Sequence, residues 1–433
     1  MKKLFSFVLS IVTALTAISL LSNTVSAPSD EDSDFVPVLR FVAMSDTHIK
    51  TMFDQRTRRI QRVLTMAYSD ARQDPAYSKV DAALFVGDLT DKGTAGQYFG
   101  FKAAVNSVLR PETEFLAVVA AKSHDGHTFG KKALSFYENL TDKPADFHTI
   151  INGYHFIGIS SSTVEGDLYS SYQRDWLSEQ LKSAAADDPQ KPIFVMHHEH
   201  VFDTVYGSSE IDGWGVDYFK DIFSEYPQIV HFSGHSHYPI NDPRSIWQGD
   251  ITAVGTGALY YAELTVDGQN CVHPENYKNI AQFWIVEVNA QNEVRMRGFD
   301  ALAGEKLCEY TLHNVANAQA RELTPDQQRA KAASPAFPAG TAADVRKTRK
   351  DYIVSVPAAE STDGSIVFLY RVFVIGTDGT QKSSDLLVNN YWQADDYTNI
   401  TFHVQGDKGD TVQIVAENAY GMQSDPVRAS LSD

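Results

Sequence analysis

The chain has 433 residues, 43% hydrophobic and 21% charged, with a formal net charge of −18. That composition supports packed cores and excludes global disorder. The length points to two or three domains, and the acidic balance excludes a broad basic face for gripping nucleic acid or an anionic membrane. Two cysteines exclude a multi-bridge disulfide scaffold and a four-cysteine zinc module.

At the N-terminus, Lys2 and Lys3 precede an apolar run from Leu4 to Leu21, and Val25-Ser26-Ala27 supplies small residues just ahead of Pro28. These are the three parts of a secretory signal. Residues 1–27 are therefore expected to be cleaved, leaving a secreted or periplasmic chain of net charge −20 (35 basic, 55 acidic residues). An uncleaved anchor is the alternative, because the run approaches a bilayer span. No second run of that kind follows, so no membrane span is expected in the mature chain. Export would permit a Cys271–Cys308 disulfide; two buried free thiols are the equal alternative.

Strands and helices then alternate. Val36–Ser45, Val80–Val86, Phe115–Ala120, Tyr154–Ser160, Ile193–Met196 and Ile229–Ser233 read as buried strands. Asp54–Arg72, Ala95–Leu109, Tyr172–Ala185 and Asp217–Tyr226 read as helices, and residues 251–299 as strands and turns without helices. This pattern predicts an α/β domain with a mixed sheet over residues 35–313. Residues 314–345 read as a linker with one short helix at Thr324–Lys331. Over residues 346–433, Tyr352–Val356, Ile366–Ile375, Ile400–Val404 and Thr411–Ala416 are β-rich runs separated by DG, GTDG and GDKGD turns. That spacing predicts an antiparallel β-sandwich.

Five clusters of Asp and His each sit just past an apolar strand: Asp46-Thr47-His48, Gly87-Asp88, Ser123-His124-Asp125, His197-His198 and Gly234-His235-Ser236-His237. Residues at the carboxyl ends of parallel strands gather at one sheet edge, where α/β proteins place their sites. Carboxylate and imidazole together suit Zn, Fe, Mn or Ni rather than Ca, which wants oxygen alone. Each cluster alone is a weak signal; five in series are hard to explain by folding alone.

The order D-x-H, G-D, H-D, H-H, G-H-x-H, with GDLTDKG and the helix YQRDWLSEQL after FIGISSS, resembles the calcineurin-like metallophosphoesterases over residues 38–310. The resemblance implies a four-layer α/β/β/α sandwich and two divalent or trivalent ions drawn from Fe, Mn, Zn or Ni. It places Asp46, His48 and His237 on the first ion, Asp88 between both, and His197 and His235 on the second. His124, supported by Asp125, would be the acid at the leaving group. Where the family has GNHD this chain has KSHD, so Ser123 stands in the place of an amide ligand to the second ion, and Glu199 stands where a Pro often follows the paired His. His127, His198 and His200 read as solvated or outer-sphere histidines, with a compensating ligand role for one of them as the alternative. The ending VQIVAENAYGMQSDP loosely resembles the last two strands of a fibronectin type III domain, with Asp410 where that family has its corner tyrosine.

The expected activity is hydrolysis of small phosphodiesters or phosphomonoesters, with no long nucleic acid as substrate. Leu89-Thr90-Asp91 lacks the tyrosine that purple acid phosphatases carry there, which argues against a purple Fe(III) enzyme. Two rivals are a surface-binding protein that kept the fold and lost turnover, and a metal-dependent nuclease. Tyr391 and Trp392 would either stack on a carbohydrate or belong to the core of the C-terminal domain.

Overall fold

The computed structural model describes residues 35–432 apart from 163–167, 211–213, 267, 269, 362–364 and 394–397. The proposed signal segment lies outside the described residues. In chain order the larger part runs β1 (Pro37–Met44), α1 (Gln55–Ala71), β2 (Ala82–Val86), α2 (Ala95–Asn106), β3 (Glu114–Val118), α3 (Ala133–Thr141), β4 (Phe147–Ile151), β5 (Tyr154–Gly158) and α4 (Ser171–Asp187). It continues through β6 (Ile193–Met196), β7 (His200–Val201), β8 (Gly215–Val216), α5 (Lys220–Phe223), β9 (Ile229–Ser233), β10 (Ile246–Gln248) and β11 (Thr252–Gly255). It closes with β12 (Leu264–Thr265), β13 (Cys271–Val272), β14 (Gln282–Asn289), β15 (Val294–Asp300) and β16 (Glu305–Leu312).

Among the described residues two six-stranded sheets form, in the orders β16-β15-β14-β1-β2-β3 and β10-β11-β9-β6-β5-β4. They stack through alternate side chains: Phe41, Ala43, Leu84, Val86 and Val118 of the first meet Phe156, Phe194, Met196, Val230 and Phe232 of the second. The opposite face of the first sheet, with Val42, Met44, Ala83 and Phe85, packs on α1, α2 and α3. That of the second, with Ile157, Ile193, Val195 and Ile229, packs on α4 and α5. The result is an α/β/β/α sandwich. Strands β1, β2 and β3 are mutually parallel, as are β5, β6, β9 and β11, so each sheet presents a row of carboxyl ends.

Local signals explain the helices. The α1 stripe Ile60, Val63, Leu64, Ala67, Ala71 follows helical spacing, and Asp54 caps Arg56 N at 3.1 Å. Thr94 with Gln97 and Ser170 with Gln173 close capping boxes on α2 and α4. The expected helix at 217–226 shrinks to the single turn α5. Helix α3 and strand β4 were not legible in the sequence, because FHTII carries two polar residues and α3 buries only Ala133 and Tyr137 fully.

The C-terminal part comprises α6 (Pro325–Lys331), β17 (Asp344–Lys347), β18 (Tyr352–Pro357), β19 (Val367–Ile375), β20 (Gln381–Val388), β21 (Asn399–Val404), β22 (Thr411–Asn418) and β23 (Val427–Ser430). A three-stranded sheet β17-β18-β21 and a four-stranded sheet β20-β19-β22-β23, both antiparallel, close over Tyr352, Val354, Tyr370, Val412 and Ile414. Strand β20 escaped prediction because QKSSDLLV is polar and exposed along its first half. The segment before the sandwich is pinned to the layered unit: Arg321 donates to the carbonyls of Gly249, Ile251, Pro227 and Asp250.

Two expectations find their answer here. Trp392 is fully buried, with Tyr391 half-buried beside it, in a cluster joining Phe368 and Leu369 of the sandwich to Tyr206, Tyr238, Ala258 and Ala262 of the layered unit. The pair is junction core and not an exposed platform for a carbohydrate. Both cysteines are free: Cys271 Sγ lies 3.0 Å from Glu263 Oε2, and Cys308 Sγ lies 3.5 Å from the Ile240 carbonyl. Among the described residues no helix is long and apolar enough to cross a membrane.

Candidate metal centre

The ends of β1, β2, β3, β6 and β9 bring Asp46, His48, Asp88, Ser123, His124, His198, His235 and His237 to one edge of the sandwich. The side-chain donors of Asp46, His48, Asp88 and His237 lie within 4.8 Å of one another, as do those of Asp88, His198 and His235. Asp88 belongs to both groups. His237 Nε2 sits 3.0 Å from Asp46 Oδ1 and 3.1 Å from His48 Nε2; His198 Nε2 sits 3.4 Å from Asp88 Oδ2.

The backbone is bent to achieve this. Asp46, His48, Asp88, His235 and His237 all have positive φ, between 45° and 70°. Left-handed geometry at a non-glycine residue costs about 1–3 kcal/mol and collects at functional sites. Two glycines make room for it. A Cβ on Gly87, at φ +80°, would lie 2.5–2.7 Å from His198 Nδ1, Cγ and Cβ. A Cβ on Gly234 would lie 2.6 Å from Ser45 Oγ and collide with Asp46 Oδ2.

The donors are preset for a cation. His198 Nδ1 bonds the Val86 carbonyl at 2.8 Å and His237 Nδ1 the Tyr261 carbonyl at 3.2 Å. A carbonyl only accepts, so Nδ1 carries a proton in each ring and Nε2 is the atom that faces the cluster, where a bound cation would take the place of a second proton. Asp46 Oδ1 and His198 Nε2 are buried without a hydrogen-bond partner, a costly state unless a ligand fills it. Two overlapping donor sets of imidazole and carboxylate, sharing Asp88, fit a pair of transition-metal ions. Electrostatics agree in sign. Burial opposes ionisation of Asp46, but the charges of His237 and His198 outweigh it and bring the carboxyl to about 2. Burial likewise opposes the Asp88 charge, and His198 and His48 overcome it, holding the group well below the usual range. Burial keeps His48 neutral, at about 3.

Two sequence assignments change. His197, expected as a ligand, points to the helix side of its sheet; its ring stands 4.3 Å from His231 and 5.5 Å from Phe219, and neither nitrogen finds a partner. His198 occupies the cluster in its place. Asp125 does not touch the His124 imidazole. Its carboxylate accepts from Leu89 N and Ala120 N (both 3.1 Å) and from Thr90 N and Oγ1 (both 2.8 Å), so it clamps the loops after β2 and β3. The carboxylate grouped with His124 and His48 is Asp91, whose backbone carbonyl also takes His124 Nδ1 at 2.9 Å.

Ser123 Oγ donates to Asp88 Oδ2 at 3.0 Å, beside the shared carboxylate. His200 is spent between Ser233 Oγ (2.7 Å) and Ser236 Oγ (2.8 Å), and His127 is exposed. Glu199 is buried and accepts from the Tyr169 hydroxyl, outside both donor sets.

Residues 39–239 match the family of calcineurin-like phosphoesterases. A Rhodococcus erythropolis protein described as a probable cyclic nucleotide phosphodiesterase is 34% identical over 236 residues, covering 52% of this chain and 73% of that protein. The chain belongs to the calcineurin-like phosphoesterase family. Among solved structures, a purple acid phosphatase from yellow lupin (Lupinus luteus) seeds is similar at a TM-score of 0.45 and 12% identity. The alignment covers 64% of this chain and 53% of the lupin chain, so this chain spans about half of that enzyme's length. A phosphopantetheinyl hydrolase from Mycobacterium tuberculosis aligns with 52% of this chain and 90% of its own, at a TM-score of 0.27 and 12% identity. The match to the family begins within β1 and ends just after His237, and so spans every residue of both donor sets.

Proposed function

We propose that the chain is a secreted hydrolase of small phosphoric esters that works with two cations and prefers phosphodiesters. The observation that carries the reading is the pair of donor sets joined by Asp88 on a backbone bent into left-handed geometry at five residues. The diester preference draws on the description of the Rhodococcus relative; secretion draws on the N-terminal pattern.

Asp46, His48 and His237 would hold one cation, His198 and His235 the other, and Asp88 both. Such a pair supplies Lewis acidity and lowers the pKa of water toward neutrality. The protein's own part is geometric and electrostatic. His124 presents Nε2 toward the cluster because Nδ1 is tied to the Asp91 carbonyl. From there it can hand a proton to the departing oxygen, with the Asp91 carboxylate grouped beside it. Ser123 steadies Asp88 through its hydroxyl. The three-plus-four-stranded sandwich supports a fibronectin type III-like reading of the C-terminal domain.

The test is turnover of a chromogenic phosphodiester beside the matching monoester, by metal-stripped protein reloaded with Mn, Zn, Fe or Ni. The expected result is cation-dependent turnover with the diester faster. A faster monoester would overturn the preference. Folded protein with no turnover under any cation would overturn the enzyme reading and favour the surface-binding rival.

A further inference from the structure

We infer that the C-terminal sandwich, through Tyr391 and Trp392, positions the loop that carries His235 and His237. The inference rests on the metal-centre reading above. Residues 234–242 pass from the cluster to the domain junction within a few positions. Asn241 Nδ2 donates to the Tyr391 carbonyl at 2.6 Å, and the Tyr391 hydroxyl meets Asp242 Oδ2 at 3.3 Å. Asp242 is buried and also takes Arg244 Nε and a terminal guanidinium nitrogen at 2.8 and 2.6 Å. That guanidinium stacks 3.6 Å from the Tyr206 ring centre and 4.8 Å from that of Phe368 in the sandwich.

A second route runs through Gln282. Its Oε1 accepts from Ile240 N at 3.0 Å, and its Nε2 donates to the Trp392 carbonyl at 3.1 Å. One amide therefore reads both the metal-bearing loop and the sandwich. A third route runs through residues 256–263. Ala258 and Ala262 pack in the cluster with Trp392. In the same segment the Tyr261 carbonyl takes His237 Nδ1, Glu263 N bonds the His237 carbonyl at 3.2 Å, and Leu259 N bonds the Ser45 carbonyl at 3.1 Å. Two of the residues bonded there, His237 itself and Ser45 next to Asp46, belong to or adjoin the first donor set.

Three connections, through the Tyr391 carbonyl and hydroxyl, the Trp392 carbonyl and the packed Trp392 indole, exceed what tethering a spacer domain requires. The third holds His237 itself, at Nδ1 and at its carbonyl, and the first two hold Ile240, Asn241 and Asp242 just beyond it, as outer partners of metal ligands do. Tyr391 and Trp392 are positioning residues, since neither touches the donor atoms.

The experiment is a calorimetric titration of metal-stripped full chain with Mn, and with Co for its absorption bands, on the wild type, Trp392→Ala, Trp392→Phe and Asn241→Ala. Val354→Ala, in the sandwich core away from the junction, is the stability control. Trp392→Ala is expected to raise the half-saturating cation concentration about tenfold or more, with altered Co bands. Trp392→Phe should restore most of that loss, and Val354→Ala should lower Tm without moving it. If Trp392→Ala does not fold, Asn241→Ala should still shift the titration in the same direction. Wild-type titration curves from a folded Trp392→Ala protein, or an equal weakening in Val354→Ala, would overturn the inference while leaving the metal centre standing. A wild type that takes up no cation would instead overturn the metal-centre reading itself.

Discussion

His197 and His198 differ in role because strand side chains alternate between faces. Phe194 and Met196 enter the core between the sheets, and His198 continues that row to Asp88. Val195 faces the helices, and His197 follows it. The period of two was present in IFVMHH, and it favours the second histidine once Val86 and Asp88 are seen to share the same parity on β2. The signal was usable only with knowledge of which face each strand buries. Substitution separates the pair. His198→Ala should lower turnover by roughly a hundredfold or more, the loss of several kcal/mol of charge stabilisation. His197→Phe should keep turnover and be neutral or stabilising, because it replaces two unpartnered buried nitrogens by an apolar ring. Steady-state kinetics and thermal melts of both variants check this. Gly87→Ala should resemble His198→Ala, since its Cβ would press on that ring.

At the scale of elements, the site is made by loops that follow parallel strands, and those loops are tied to one another more than to the solvent. His48 N bonds the Asp88 carbonyl at 3.0 Å and Asp46 N the Gly87 carbonyl at 3.1 Å, so the turns after β1 and β2 are zipped together. Asp125 does the same between the turns after β2 and β3 through four donors. The family resemblance placed Asp125 behind His124; the fold spends that acid on three backbone amides and the Thr90 hydroxyl and brings Asp91 instead. Asp125→Ala leaves those donors buried and unpaired, at about 1–3 kcal/mol for each lost partner before relaxation. It should lower Tm sharply and turnover with it. Asp91→Asn should leave Tm nearly unchanged while slowing turnover of a substrate with a poor leaving group more than one with a good one. Melting curves and a leaving-group series distinguish the two roles.

For the whole molecule, the alternation of strands and helices and the change to β-rich runs after residue 345 were legible, because buried strands and amphipathic helices advertise their periods. The junction was not. A core role for Trp392 was among the sequence readings, but from the polar stretch NNYWQADDY nothing showed that the core it joins also holds Tyr206, Tyr238, Ala258 and Ala262 of the layered unit. The ionic network of the first sheet was equally silent in the sequence. Buried Glu287 meets Arg40 Nε at 2.6 Å, Arg295 at 2.8 Å and Arg297 at 3.2 Å. Burial works against its charge, but Arg297, Arg295 and Arg40 prevail and hold the carboxyl below its ordinary value. A lowered carboxyl stabilises the fold fully above the unfolded value, about 4.3, and that contribution disappears as pH falls through the folded value. Glu287→Gln should therefore cost about 3 kcal/mol at neutral pH and converge with the wild type in acid, as urea melts across pH 2–7 would record.

The account turns on Asp88 serving two cations at once. The most direct measurement is cation content per chain, by elemental analysis after dialysis against Mn or Zn, in the wild type and in Asp88→Asn, with phosphodiester turnover followed in the same samples. The account predicts two cations per wild-type chain, at most one in Asp88→Asn, and loss of turnover in that variant. Two cations retained by folded Asp88→Asn with turnover intact would contradict it.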